Sequence, residues 1–211
     1  MKRAKPVLEY LEETTWENAF QEEVFELFKL LETPKDETVL EDIMISGCLF
    51  EKIDFSSVLF SRVAFVDVVF DGCDFSNVDL SVQHFRRVEF RNCKMIGVSF
   101  HLSSLQDVSF ESCICTFQDY SKTKMRYVEY HQSDLSSSSF IQTDIKQILF
   151  FDVCMSRTEF LQTSLSQIDF SSCDIRETLF DLNSMRGIVI DSFQSQFLIT
   201  MLGVQIKDDF S

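Results

Sequence analysis

Proline is nearly missing from this 211-residue chain, with two residues, and glycine is scarce, with five. So few glycines leave no phosphate-cradling loop, and neither G-x-S-x-G nor H-E-x-x-H occurs, so no enzyme activity and no cofactor is expected. Histidine appears three times, and the seven cysteines are odd in number and lack a C-x-x-C pair. That argues against a disulfide framework or a metal site and for reduced thiols. No apolar run approaches about 18 residues, and the first ten residues lack the basic, apolar and small-residue order of a secretory signal. A cytoplasmic location without membrane association is therefore expected. Basic residues are also in deficit, 19 against 34 acidic ones, for a formal charge of −15. Such a chain repels nucleic acid, so direct nucleic-acid binding is not expected, but it attracts a protein that normally grips DNA.

What is present is a repeat of period five. Every fifth residue from Ile45 to Ile190 is apolar or aromatic, 30 positions in one frame, and 15 of the 23 phenylalanines occupy it. Two residues earlier, at Cys48, Ile53, Val58, Val63, Val68, Cys73 and onward, all members but Gln83, Gln118 and Asn183 are Cys, Val, Ile, Ser or Thr. The residue between is often acidic, as at Asp54, Asp74, Asp79, Glu89, Asp134, Asp169 and Asp174. Each unit thus reads small-in, polar-out, large-in, then two corner residues.

A period of five matches neither a helix nor a flat strand, so the chain must bend at every unit. Pairing a large with a small inward residue lets several short sides share one narrow interior without overpacking. This pattern resembles that of the pentapeptide-repeat family. The resemblance implies an all-β solenoid, a right-handed quadrilateral parallel β-helix with 20 residues per coil. On that folding Phe50 stacks on Phe70, Phe90, Phe110, Tyr130, Phe150 and Phe170, and Cys73, Cys93 and Cys113 form one inward column.

Both ends of a solenoid need covers. Residues 1–40 are expected to form an N-terminal helical cap, with a helix over 7–31 that places Phe20, Val24, Leu27, Phe28 and Leu31 on one face. Residues 41–191 form the repeat domain. Residues 192–211 are expected to hold a helix with Ser192 as N-cap and Gly203 as C′ residue. Its apolar face, Phe193, Phe197, Leu198, Met201 and Leu202, exceeds what capping one coil needs, which predicts a homodimer through this helix.

The run 187–191, Gly-Ile-Val-Ile-Asp, with Gln196, Leu198 and Leu202-Gly203-Val204, resembles the ending of the quinolone-resistance (Qnr-type) branch of the family. So does Cys93-Lys94-Met95-Ile96-Gly97-Val98. That resemblance implies an acidic, DNA-mimicking dimeric rod that binds DNA gyrase and topoisomerase IV, inhibiting them or protecting them from fluoroquinolones. Many members of the branch carry loops that break the repeat frame, and here the frame runs on unbroken. The acidic residues expected to face the topoisomerase are Glu51, Asp54, Asp71, Asp74, Glu89, Glu111, Glu129, Asp134, Asp152, Asp169 and Asp174. His84, Arg86, Arg87, Lys124, Arg126, Lys146 and Arg186 gather on another corner. The alternative is a pentapeptide-repeat scaffold with a different protein partner.

Overall fold

The computed structural model describes residues 2–21, 25–35 and 38–205. In chain order the elements are β1 (Glu12–Thr14), α1 (Trp16–Gln21), β2 (Phe25–Glu26), β3 (Phe28–Leu30), β4 (Val39–Glu41), β5 (Met44–Ser46), β6 (Leu49–Glu51) and β7 (Leu59–Ser61). The longer strands β8 (Ala64–Asp71), β9 (His84–Arg91), β10 (Ser104–Glu111), β11 (Lys124–His131) and β12 (Asp144–Phe151) follow. After them come β13 (Glu159–Phe160), β14 (Leu179–Phe180) and α2 (Ser192–Met201). Every strand pairing is parallel, and apart from β1, whose partners in β3 lie 16 residues on, every partner is 20 residues away, as in Phe65↔Phe85 and Phe110↔Tyr130. A 20-residue coil of five-residue sides is a four-sided parallel β-helix.

The two inward series fill its interior. Phe50, Phe70, Phe90, Phe110, Tyr130, Phe150 and Phe170 are buried and stacked coil on coil, with centroids 4.6 to 5.5 Å apart. Neighbouring sides meet edge to face, as Phe70 meets Phe75. Burying an aromatic side chain removes roughly 150–250 Å² from water, so this ladder supplies most of the driving force for folding.

The small inward site explains its own composition. Ser103, Ser133, Ser138 and Thr163 each accept the backbone N–H of the residue 20 earlier, at 3.0 Å, and Ser103, Thr123, Thr143, Thr158 and Thr178 donate to a carbonyl 23 earlier. Buried backbone groups between coils are satisfied this way. The thiols of Cys73, Cys93 and Cys113 donate to the Phe50, Phe70 and Phe90 carbonyls, each at 3.4 Å. Gln83 and Gln118 fit the same site because their amides reach the same partners: Gln83 Nε2 donates to the Ser81 carbonyl at 2.8 Å and Gln118 Nε2 to the Met95 carbonyl at 3.1 Å.

Most corners turn through a left-handed residue two positions after the large inward one, including Asp67, Arg87, Asp107, Tyr127 and Gln147 at φ between 52° and 63°. Non-glycine residues take this conformation at roughly 1 kcal/mol each, which the stacked interior offsets. Gly47 makes the same turn at φ 62° without that cost, and a Cβ there would press on the exposed Leu27 side chain, 2.9 Å from its Cδ2.

Three local expectations need correction. The N-terminal segment is not one helix over 7–31. Helix α1 spans six residues, and Phe25–Glu26, Phe28–Leu30 and Val39–Glu41 pair with the strands 20 residues on. Phe25, Leu30 and Leu40 belong to the five-residue frame and are buried, while exposed Lys35 interrupts it. The repeat therefore begins a coil earlier than residue 41. Of the predicted helical face, Phe28 points inward, Leu27 and Leu31 are exposed, and the Phe20 and Val24 side chains lie outside the described residues. The cap itself is α1, whose Trp16 stacks on Phe50 at 6.0 Å and 23° and whose Ala19 is fully buried.

At the far end the small inward site slips by one residue. Ser184, not Asn183, is buried and accepts the Thr163 N–H, 21 residues earlier, because Asp181 gathers the N–H groups of Gln162, Asn183 and Ser184 and the Ser184 hydroxyl. These bonds draw the Asp181 carboxyl down to about 2. The N-cap of α2 is Asp191 rather than Ser192, in a capping box with Gln194. Gln194 Nε2 also donates to the Phe170 and Cys173 carbonyls, at 2.8 and 2.7 Å, and so clamps the helix onto the last coils. Gly203 at φ 75° follows the C-cap, as expected.

Candidate functional site

The polar-out position prefers aspartate for a local reason. Asp54, Asp74, Asp134 and Asp169 each accept the N–H of the residue two further on, at 2.8 to 2.9 Å, and Asp174 does so at 3.1 Å. This Asx turn holds the corner that follows. Five of the predicted partner-facing carboxylates thus have a structural duty. Asp74 is also paired with Lys94 at 2.9 Å and Asp174 with Arg176 at 2.6 Å. These contacts lower both carboxyls against the effect of burial. At Asp74 burial is the largest influence and the Ser76 and Lys94 bonds outweigh it, whereas at Asp174 the Arg176 bond leads.

Strand register sets the remaining columns. One reads Glu51, Asp71, Arg91, Glu111, His131, Phe151, and beside it runs Leu49, Val69, Glu89, Ser109, Glu129, Leu149. The acidic flank is therefore interrupted by Arg91 and His131, and Glu51 is bridged to Lys29 at 3.0 Å. Among the described residues Asp71, Glu111 and Asp152 carry neither an ion pair nor an Asx turn; Glu111 and Asp152 are exposed, and Asp71 accepts only Asn92 Nδ2, at 3.0 Å. The basic stripe has a real register too, with Arg86, Gln106, Arg126 and Lys146 in one column and His84, Ser104, Lys124 and Asp144 in the next.

An arm that the periodicity did not place crosses this face. Residues 3–7 run along the outside of β8–β11. The Val7 N–H donates to Asp67 Oδ1 at 3.0 Å and the Ala4 N–H to Asp107 Oδ1 at 2.9 Å. Arg3 reaches Glu89 Oε1 at 2.6 Å and Glu129 Oε2 at 3.5 Å. The outward positions Val69, Glu89 and Ser109 are 2 to 6% exposed, whereas Leu149 further along the same column is 36% exposed. Glu89 is thus buried under Arg3 and also accepts Arg91. Burial pushes its carboxyl up, but the two guanidinium groups outweigh it and hold it below the ordinary range. Glu89 does not face solvent as predicted. The signal for the arm was the cluster of Lys2, Arg3 and Lys5 at the start of a chain poor in basic residues.

The C-terminal helix divides its apolar face. Leu198 is buried and Phe197 and Met201 pack on the core, whereas Phe193 is 82% exposed and Leu202 and Val204 are each 52% exposed. No group of residues suited to a metal ion occurs among the described residues, and none of their helices is long and apolar enough to cross a membrane.

This geometry defines the class: a pentapeptide-repeat β-helix. The model of the pentapeptide repeat region matches residues 43–120, so that stretch of the chain carries the pentapeptide repeat. No curated protein sequence matches it. Among solved structures it is similar to QnrB1, a plasmid-mediated fluoroquinolone resistance protein, in a trypsin-treated form, at 19% identity over 95% of this chain and 93% of that one, with TM-score 0.50. It is also similar to HetL of the cyanobacterium Nostoc sp. strain PCC 7120, a pentapeptide repeat protein involved in heterocyst differentiation regulation, at 14% identity over 82% of this chain and 90% of that one, with TM-score 0.51. At these identities the likeness is one of fold.

Proposed function

We propose that this protein binds type II topoisomerases, DNA gyrase and topoisomerase IV, as an acidic rod that occupies their DNA-binding surface, and thereby inhibits them or limits fluoroquinolone action. The observation that carries this reading is a set of outward carboxylates that no turn or ion pair requires: Asp71 and Glu111 in one column with Arg91 between them, and Asp152 at the corner beside that column. About eight coils at about 4.8 Å make a rod roughly 38 Å long. A charge of −15 over that length is about −0.4 per Å, against roughly −0.6 for B-DNA. The exposed Phe193, Leu202 and Val204 of the C-terminal end supply an apolar patch for a two-fold mate, which would double the acidic length. The Qnr-type motifs at 93–98 and 187–204 favour the same reading.

A partner other than a topoisomerase is the second reading, favoured by Tyr127, Leu149 and Phe151, an apolar group 36 to 52% exposed on the same strands. The deciding experiment is gyrase supercoiling of relaxed plasmid, titrated with the protein in the presence and absence of ciprofloxacin. Inhibition, or reduced drug-induced cleavage, is expected, and the triple variant Asp71→Lys, Glu111→Lys, Asp152→Lys should lose it. A wild-type protein without effect on gyrase or topoisomerase IV would overturn the proposal.

A further inference from the structure

The arm occupies the acidic face in the manner a ligand would. Its recognition is complete: two backbone N–H groups go to carboxylates, and one guanidinium goes to a carboxylate pair. The spacing is matched as well. Asp67 and Asp107 stand two coils apart, about 9.6 Å, and the three residues from Ala4 to Val7 span about 10 Å when extended. Coil repeat and extended backbone are thus commensurate, so a straight peptide can bond every second coil. The Arg3 side chain is only 6% exposed, as is that of Glu89 beneath it.

The burial of Glu89 is made by the arm. A buried ion pair is a poor stabiliser when both charges could be hydrated instead. Here both can be, because lifting the arm returns Glu89 to water and leaves it Arg91 as a partner. Nothing in the interior depends on the arm, since the ladder closes at Trp16 and Phe25 without it. Asp67 keeps Arg87, which reaches both its oxygens. The contact is therefore electrostatic, peripheral and reversible, on the face that the proposed function needs.

We propose that residues 3–7 are an autoinhibitory strap: Arg3 fills the Glu89–Glu129 site in place of a partner's arginine, and a basic protein surface must displace it to engage the rod. This inference rests on the reading of the acidic face as a binding face, although it does not require that the partner be a topoisomerase. An arm that competes in this way lowers the partner's apparent affinity by the fraction of rods left open.

The test uses the full-length protein, an Arg3→Glu variant, and a variant lacking residues 2–10, each titrated with fluorescent hexa-arginine peptide and, separately, with gyrase. Losing one charge-assisted contact should open the face enough to tighten hexa-arginine binding about tenfold. Adding Glu89→Gln and Glu129→Gln to either variant should abolish the gain. Arg3→Glu tests the idea without shortening the chain, and urea midpoints equal to wild type will show that the fold is kept. Equal peptide affinity in all the proteins would overturn the strap. A peptide gain without any gyrase binding would overturn the topoisomerase reading and support the strap, whereas gyrase binding that charge reversal weakens but arm removal leaves unchanged would do the opposite.

Discussion

Two tyrosines on opposite interior columns should respond to the same substitution with opposite signs. Tyr120 and Tyr130 are both fully buried, meet edge to face with centroids 6.3 Å apart, and are the only interior aromatic positions in their coils that are not phenylalanine. The Tyr120 hydroxyl donates to Gln118 Oε1. The Tyr130 hydroxyl completes no hydrogen bond. Removing an unsatisfied buried hydroxyl recovers its desolvation cost, about 1–3 kcal/mol, and Phe keeps the stacking on Phe110 at 4.6 Å and Phe150 at 5.4 Å. Tyr130→Phe should therefore stabilise the protein by about 1 kcal/mol or more. Tyr120→Phe strands the Gln118 carbonyl oxygen in the same dry interior and should destabilise by a similar amount, about 1–2 kcal/mol. Urea unfolding at equal m-value reads both as shifts in midpoint, and an unchanged m-value also shows that the denatured state is the same. Two shifts of the same sign would refute the assignment of the orphan hydroxyl to Tyr130.

Cysteine reactivity should follow burial rather than number. Burial pushes the Cys48 thiol up to about 11 and raises Cys173, the neighbouring thiols and then burial raise Cys73, Cys93 and Cys113, and Cys154 is half-exposed on the outside. A thiol reagent should modify one cysteine in the native protein and all seven in denaturant; native labelling at the 73–93–113 column would contradict the packing. Arm docking should fail in acid. At Asp67 and Glu89 burial raises the carboxyl, and it is outweighed by Arg87 and the Val7 N–H at the first and by Arg3 and Arg91 at the second, so both lie below the ordinary range. A depressed carboxylate contributes stability that is fully present above its unfolded value, about 4, and lost as pH falls through the folded one. Exchange protection of the Ala4 and Val7 amides should be flat from about pH 7 to 5 and decline below about 4. A decline already under way above about pH 5 would contradict the assignment of arm docking to these two carboxylates.

Most of the solenoid could be read from residues alone because its rule is local and repeated. One frame from Ile45 to Ile190 assigns the interior, and buried Phe55, Leu80, Met95 and Leu165 follow it without adjustment. The failures occur where a single non-repeating contact overrides the rule. Lys35 interrupts the frame for one unit and so hid a whole coil that Phe25, Leu30 and Leu40 continue. Asp181 gathers three N–H groups and moves the inward site from Asn183 to Ser184, although the apolar frame passes unbroken through Phe180, Met185 and Ile190. The acidic face failed differently. Arg91 and His131 interrupt its register, and a tertiary contact between Arg3 and Glu89, 86 positions apart in sequence, carries no periodic signature.

That distinction also decides what the acidic surface means. A carboxylate in an Asx turn is selected by the turn, so Asp54, Asp134 and Asp169 would be present in a rod with no anionic function. Their abundance accordingly says little about a partner. The turn uses one oxygen to accept a backbone N–H, however, and an asparagine does that equally well without charge. A chain under no demand for charge would mix asparagine freely into these sites, whereas the turn-forming polar-out residues are aspartate at 54, 74, 79, 119, 134, 169 and 174 and serine at 99, with no asparagine among them. The turn accounts for the shape of the side chain, and the charge needs a separate reason. Solubility supplies part of it, but solubility does not require Asp71, Glu111 and Asp152 to stay unpaired beside an arm that neutralises Glu89 and Glu129. A face that is half covered by its own arginine and half left bare is arranged for exchange of one basic group for another.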